Sequence, residues 1–385
     1  MEDLGMFVNN EIPYKEGAQI KVIGVGGAGG NAISNMIQAN IGDVEYIAVN
    51  TDIQALGSTG ANSQILISPL GLGAGGKPEK GRQFALESID EIRNNIKGAD
   101  MIFLTCGLGG GTGTGATPVI AAEAQASNIL TIAVVSVPHT AAGRVRNNIA
   151  KEGLAELIKY VDSYIVVPND GMQDAGHKQT FKEALKMADD VLRQSIQGIC
   201  EISDSKGHIN IDFADISTAM SGKGKAVMGV GTASGEDRAK KAFLNALSSP
   251  LLADTNIKGA HSVLLNISGH EDDLLMDEVA EIQTLVYENA GEDAHIIEGV
   301  RYDNRDDGTI SVTIVATGIK DSNHKNMDNI TKVTEIKKAK PASANVVNMQ
   351  DKMTQIASND NNLQGLDSLN NDYFEIPTYL RKQSD

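Results

Sequence analysis

Three glycine clusters carry most of the chemistry this chain could do. They are Gly24-Val-Gly26-Gly27-Ala28-Gly29-Gly30-Asn31, Gly71-Leu-Gly73-Ala74-Gly75-Gly76-Lys77-Pro78-Glu79 and Gly107-Leu-Gly109-Gly110-Gly111-Thr112-Gly113-Thr114-Gly115. Without Cβ atoms, backbone N–H groups can close on an anion, and a helix opening behind them adds its dipole. The first cluster matches G-x-G-x-x-G with acids at Asp43 and Glu45, about 20 residues on, and leaves a dinucleotide site and an NAD-dependent dehydrogenase open. The second nearly reads as a P-loop, but Pro78 stands where a Ser or Thr hydroxyl would bind Mg²⁺. The third adds the hydroxyls of Thr112 and Thr114. Loops of this kind at the ends of parallel strands converge on one crevice, and that number of them suits a triphosphate better than a pyrophosphate.

Acids and amides are the other candidates. Asp212 and Asp215, three apart at the start of a helical stretch, put both carboxylates on one side. Asp52 and Asp212 also suit a helix N-cap, and Asn169-Asp170-Gly171 is turn chemistry by itself. Asp189 lies on a long helical pattern, whose default is a solvated face.

The positioning elements alternate. Strand patterns fall at 20–25, 44–49, 100–105, 130–135 and 163–167, and helical ones near 31–39, 78–97, 116–126 and 144–159. That order implies a parallel sheet covered by helices on both faces. A helix of about 180–202 follows, with Leu185, Ala188, Leu192, Ile196 and Ile199 on one stripe, long enough to join two domains. Strand candidates at 224–230, 262–267, 294–299 and 309–316, with helices near 213–220, 236–247 and 274–289, make a second, smaller α/β or α+β domain.

Composition bounds the function. In 385 residues, 50 acids outweigh 33 bases for a net charge of −17, which argues against nucleic acid as a partner. Cys106 and Cys200 are too few for a disulfide framework or a cysteine zinc site. No apolar run is long enough to span or insert in a membrane, and the N-terminus does not read as a secretory signal, so a reduced, cytoplasmic protein is expected. Residues 321–370 are asparagine-rich, balanced in charge and without an aromatic, and read as a disordered linker. Beyond it, Phe374, Ile376, Pro377, Tyr379 and Leu380, with Arg381 beside them, form an apolar patch on a tether, as a docking peptide requires.

Taken together, the motifs resemble the tubulin-like GTPases and, within them, the bacterial cell-division family FtsZ. The resemblance rests on GGGTGTG at 109–115, Asn50-Thr51-Asp52, the loop at 71–79, Pro168-Asn169-Asp170, Asn210-Ile-Asp212-Phe-Ala-Asp215 and the tail IPTYLRK, and covers residues 18–318 plus that tail. It implies that Gly26, Gly27, Ala28, Gly29, Gly30, Asn31, Gly109, Gly110, Gly111, Thr112, Gly113 and Thr114 contact the phosphates of GTP or GDP. Asn50, Thr51 and Asp52, with Gly73, Ala74 and Gly75, would lie near the γ-phosphate and Mg²⁺, and Arg146 in the nucleotide pocket. Asn169 and Asp189 would recognise guanine, since an amide and a carboxylate can pair the purine edge. Asn210, Asp212 and Asp215 would be catalytic, entering the site of the next subunit in a head-to-tail homopolymer. The tail would bind membrane-tethering and regulatory division proteins at a mid-cell ring.

Two positions depart from the family. Ala142 stands where a Glu binds the ribose, and Leu185 where an aromatic stacks on guanine. These changes leave open a weakly hydrolysing or non-hydrolysing filament paralogue. The expected fold is α/β. It comprises an extension (1–17), a parallel-sheet GTP-binding domain (18–179), a central helix (180–203), a smaller C-terminal domain carrying the catalytic loop (204–318), a disordered linker (319–370) and a docking peptide (371–385).

Overall fold

A computed structural model describes residues 17–42, 44–169, 181–203, 211–249, 251–252, 257–291, 293–303 and 307–319. Its first half runs β1 (Ile20–Val25), α1 (Gly26–Gln38), β2 (Val44–Asn50), α2 (Ile53–Gly57), β3 (Ser63–Leu66), α3 (Pro78–Glu87), α4 (Ile89–Ile96), β4 (Met101–Gly107), α5 (Thr112–Ala126), β5 (Leu130–Val137), α6 (Arg144–Leu157) and β6 (Ser163–Pro168). The long helix α7 (Phe181–Ser203) follows. Then come α8 (Phe213–Met220), β7 (Gly224–Ser234), α9 (Arg238–Leu247), β8 (Ser262–His270), α10 (Met276–Ala290), β9 (His295–Asp303) and β10 (Thr309–Thr317).

The strands form one sheet in the order β3-β2-β1-β4-β5-β6-β7-β10-β8-β9. The strands β1 to β6 are parallel throughout. Helices cover both faces, so β1, β4 and β5 are near-continuous apolar runs with no polar face. Alternate residues feed two cores. Val22, Phe103 and Ile132 point to the side of Ile33, Met36 and the α7 stripe. Ile23, Leu104 and Val135 point to the side of Ile92, Ile96 and Ile120. A third core lies between the second half of the sheet and the helices α9 and α10, around Phe243, Val263, Ile282 and Val312.

The stripe on α7 works as expected. Leu192, Ile196 and Ile199 are fully buried, in the same core as Met228, Leu264 and Val315 of the second half. The helix therefore binds both halves. The side chains of Leu185 and Ala188 lie outside the described set.

Two expectations change. The helices after the first and third glycine clusters begin earlier than expected, at Gly26 and Thr112 rather than near 31 and 116. Glycine is tolerated there because the helices press onto backbone: a Cβ on Gly29 would come 2.6 Å from the carbonyl oxygen of Thr105. The stretch 78–97 is two helices, because Ser88 leaves helical geometry (φ −102°, ψ 18°) and Asp90 and Glu91 open a new first turn. The strand β7 pairs with β6 at Ser163–Gly224 and Tyr164–Lys225, which makes the sheet continuous. The short β3 was not expected, and α2 was signalled only by its cap at Asp52; with four and five residues they carry no readable period.

Candidate nucleotide site

Adjacent strands β1 and β4 end side by side, and each feeds a helix through glycines. Neither α1 nor α5 has a side-chain N-cap or an acid in its first turn. A helix leaves its first N–H groups unpaired, and these carry partial positive charge. Two such ends open together here, since a Cβ on Gly26 would come within 3.0 Å of the Gly113 nitrogen. Gly27 and Asn31 are exposed along the first turns of α1, Ala28 is half-buried, and Gly30 is buried against Thr59. The backbone at Gly110 is half-exposed.

The second cluster closes on the third. A Cβ on Gly111 would lie 2.9 Å from that of Ala74 and 2.8 Å from the Lys77 nitrogen. This loop is anchored by Gly73, whose N–H donates to the Thr51 carbonyl (2.9 Å), and by a bridge between Asp52 and Leu72. Gly75 is exposed at its tip. All three clusters thus meet, although the second follows a loop rather than directly ending a strand.

Side chains stiffen the crevice. Thr51 and Thr112 pair through their hydroxyls. The buried Asn50 carboxamide oxygen accepts from the N–H groups of Thr51 (2.8 Å) and Asp52 (3.2 Å). Asp52 caps α2, with one oxygen accepting from the N–H groups of Gln54 and Ala55. Thr114 is buried, and its hydroxyl accepts from the Gly109 N–H (2.9 Å), so it braces the loop from inside.

Gly109 requires glycine twice over: its φ is +90°, and a Cβ would come 2.9 Å from Cγ of Arg146. Arg146, at the start of α6, therefore lies against the third cluster. Before it, a 3₁₀ turn at Thr140–Ala142 leaves Ala142 exposed. Asn147 holds that turn by donating to the carbonyls of His139 (3.4 Å), Thr140 (3.3 Å) and Gly143 (3.0 Å). Sequence inspection passed over Asn147, and nothing local marks it.

Asn169 sits just past the end of β6. Its side-chain oxygen is buried with no hydrogen-bond partner among the described residues, and its N–H donates to the Val137 carbonyl (3.3 Å). A buried acceptor left unpaired is costly unless a ligand supplies the donor. Asp189 is not the solvated residue its helix position suggested. It is half-buried, and burial, helped by the neighbouring Asp190 charge, pushes its carboxyl up to about 6. Both groups would accept N–H donors such as those of a guanine edge.

Asp212 and Asp215 stand apart from this crevice. Asp212 holds the N-cap position of α8 but makes no side-chain cap, and Asp215 lies in the first turn. Both are exposed, and neither carboxylate has a hydrogen-bond or ion-pair partner among the described residues. Asn210, Asp170 and the tail residues Phe374, Ile376, Pro377, Tyr379, Leu380 and Arg381 lie outside the described set. No cluster of three or more His, Cys, Asp or Glu side chains able to hold a metal exists among the described residues. Burial pushes the Cys106 thiol, one residue before the third cluster, up to about 12, so it stays protonated and is no nucleophile.

Fold and crevice together define a nucleotide-binding α/β domain built on glycine-rich helix N-termini. Residues 19–177 match the Tubulin/FtsZ family, GTPase domain, and residues 224–320 match the FtsZ family, C-terminal domain. The chain is 40% identical to an FtsZ dimer, empty, from M. jannaschii, over 80% of this chain and 90% of that one, with a TM-score of 0.74. CetZ2 from Haloferax volcanii, a GTPγS-bound protofilament, shares the fold at 21% identity, 82% and 99% coverage and a TM-score of 0.67. CetZ from Methanosaeta thermophila does so at 20%, 82% and 90%, with a TM-score of 0.66. The chain belongs to the tubulin/FtsZ family. Its fold is that of a tubulin-like cytoskeletal GTPase, a family that binds GTP and GDP.

Proposed function

We propose that this protein hydrolyses GTP and polymerises head to tail, with each active site completed by the next subunit, and that the filament forms the cytokinetic ring of bacterial-type cell division. The observation that carries the nucleotide reading is the pair of uncapped, acid-free helix N-termini at Gly26 and Thr112, opening side by side. They would hold the phosphates, with Arg146 beside them; Asn169 and Asp189 would select guanine.

Mg²⁺ would neutralise charge on the transferring phosphate. Asp52 would be its nearest protein acid, through the oxygen not used to cap α2.

Completion in trans is supported by the separation of the acids from the crevice. Asp212 and Asp215 are exposed and have no side-chain partner among the described residues, on a helix with no described hydrogen bond to the glycine clusters. Around the crevice, Ile53, Leu70, Leu72 and Val145 are exposed. An apolar rim at a nucleotide site suits a second subunit laid over it. The M. jannaschii relative is a dimer and the H. volcanii CetZ2 a protofilament, which is in keeping with self-association. Residues 371–385 would dock membrane-tethering and regulatory division proteins, placing the filament at the mid-cell ring in the cytoplasm.

The test is Asp212→Ala and Asp215→Ala. Each should keep GTP affinity while lowering turnover by about 100-fold or more, the scale of losing a positioned acid or base. Mutants that lose GTP binding instead would make the acids part of the pocket. Full turnover in both would leave the protein without the proposed catalytic acids.

A further inference from the structure

Asp162 stands immediately before β6, yet its bonds reach two other parts of the chain. One carboxylate oxygen accepts from the Thr131 N–H of β5 (3.0 Å). The other accepts from the Ser221 hydroxyl (3.1 Å) and the Gly222 N–H (3.2 Å), in the turn that joins α8 to β7. Its backbone repeats the pattern: its N–H donates to the Thr131 carbonyl (2.9 Å), and its carbonyl accepts from the Gly224 N–H (3.0 Å).

The neighbouring residues hold the same helix end. A helix leaves its last carbonyls unpaired. In α8 the Met220 carbonyl accepts from the Ser163 hydroxyl (2.5 Å), and the Ala219 carbonyl from the Thr317 hydroxyl of β10 (2.8 Å). The C-terminal end of α8 is thus clasped by side chains from both halves of the sheet. Its other end carries Asp212 and Asp215, exposed and without a side-chain partner among the described residues. The helix has only eight residues, so about 12 Å of rigid rise separates clasp from acids.

We infer that Asp162 is a positioning residue for GTP hydrolysis: by fixing the end of α8 to the edge of the parallel sheet, it sets where Asp212 and Asp215 are presented to the neighbouring subunit. This rests on the proposal that those acids act in trans. A carboxylate is needed because donors approach both oxygens; an amide offers one acceptor and turns its NH₂ toward an N–H or hydroxyl on the other side. The backbone ties here reach only Gly224 and Lys225, through the Asp162 carbonyl and the two β6–β7 pairs, and none of them holds Ser221 or Gly222.

The experiment compares Asp162→Ala, Asp162→Asn and the milder Ser221→Ala with Asp212→Ala in the full chain. GTP affinity, turnover in assembled protein and amide exchange along α8 are measured for each. Displacing a catalytic group by an ångström can cost about 100-fold. Asp162→Ala should therefore lose about 10- to 100-fold in turnover with GTP affinity within about two-fold of wild type, and α8 amides should exchange faster while those of β1 and β4 do not. Asp162→Asn and Ser221→Ala should follow the same pattern to a smaller degree. Should Asp162→Ala not fold, Ser221→Ala carries the test, because it removes one bond and leaves the carboxylate.

Wild-type turnover in Asp162→Asn and Ser221→Ala, with Asp212→Ala inactive, would overturn the clasp and leave the trans site standing. GTP affinity falling in step with turnover would also overturn it, since a general loss of structure would explain both. Full activity in Asp212→Ala would remove the trans site and the clasp's purpose with it.

Discussion

Thr51 and Thr112, 61 residues apart, meet hydroxyl to hydroxyl at 2.6 Å. Thr51 is fully buried, and its carbonyl also holds the Gly73 N–H. One residue after β2 thereby joins the second glycine cluster to the third. Thr51→Val keeps the shape and removes the hydroxyl, leaving Thr112 to face an apolar group. GTP affinity should fall by about 1–2 kcal/mol, roughly five- to thirty-fold, and Thr51→Ser should restore most of it. Calorimetric titration with GTP checks this; a valine variant that binds as wild type would show that the pair does not order the crevice.

Asp189 should make GTP binding depend on pH. Its carboxyl, pushed up to about 6 by burial and by Asp190, must be charged to accept from guanine. Affinity should hold above pH 7 and weaken as pH falls through 6, with proton release on binding near pH 6. Folding of the nucleotide-free protein runs the other way. The folded state binds this proton more tightly than the unfolded chain, so the Asp189 contribution favours folding as pH drops below 6 and opposes it above. In Asp189→Asn the pH dependence of GTP binding between 5 and 7 should largely disappear, with discrimination against other purine nucleotides reduced. An unchanged profile in that variant would place the titrating group elsewhere.

The second half of the fold hangs on Arg238. Its side chain is buried, and all of its polar nitrogens are used, by Glu278 (2.7 and 2.9 Å), the Asp273 carboxylate (2.6 Å) and the carbonyls of Asp273 (2.5 Å) and Gly308 (2.9 Å). It fastens the start of α9 to the start of α10 and to the turn before β10. Arg238→Leu strands Glu278 in a partly buried place, and because Asp273 is half-exposed the loss should lie near the lower end of the range for a broken buried pair, about 3 kcal/mol. Arg238 also holds the carboxyls of Asp273 and Glu278 below their usual range. Their stabilisation is present above the ordinary carboxylate pKa and is lost as pH falls through the lowered values. Thermal melting at pH 7 and pH 4 tests both statements; a leucine variant melting with wild type would refute the clamp.

How much of this was legible beforehand depends on how local the cause is. IKVIGV reads as a buried strand because its own residues require it, and Leu192, Ile196 and Ile199 mark a core stripe through spacing alone. The starts of α1 and α5 were hidden, since glycine is a poor helix former by propensity and is favoured here only by backbones lying across the sheet. Asp52 shows a limit of motif reading: its side chain serves as a helix cap, which local rules foresee, whereas its bridge to Leu72 comes from tertiary pairing. Neither the unpaired oxygen of Asn169 nor the burial of Asp189 could be read from neighbours in sequence, because both depend on what packs over them. Asp162 left no signal at all; its partners lie 31, 59 and 60 residues away.

The most direct test of the account is phosphate release per subunit measured against protein concentration at saturating GTP. If Asp212 and Asp215 complete a neighbour's site, isolated subunits bind GTP without turning it over, and the rate per subunit rises steeply once filaments form, in step with light scattering. A rate per subunit that stays constant from the lowest concentration upward would mean a site complete within one chain, and would contradict it.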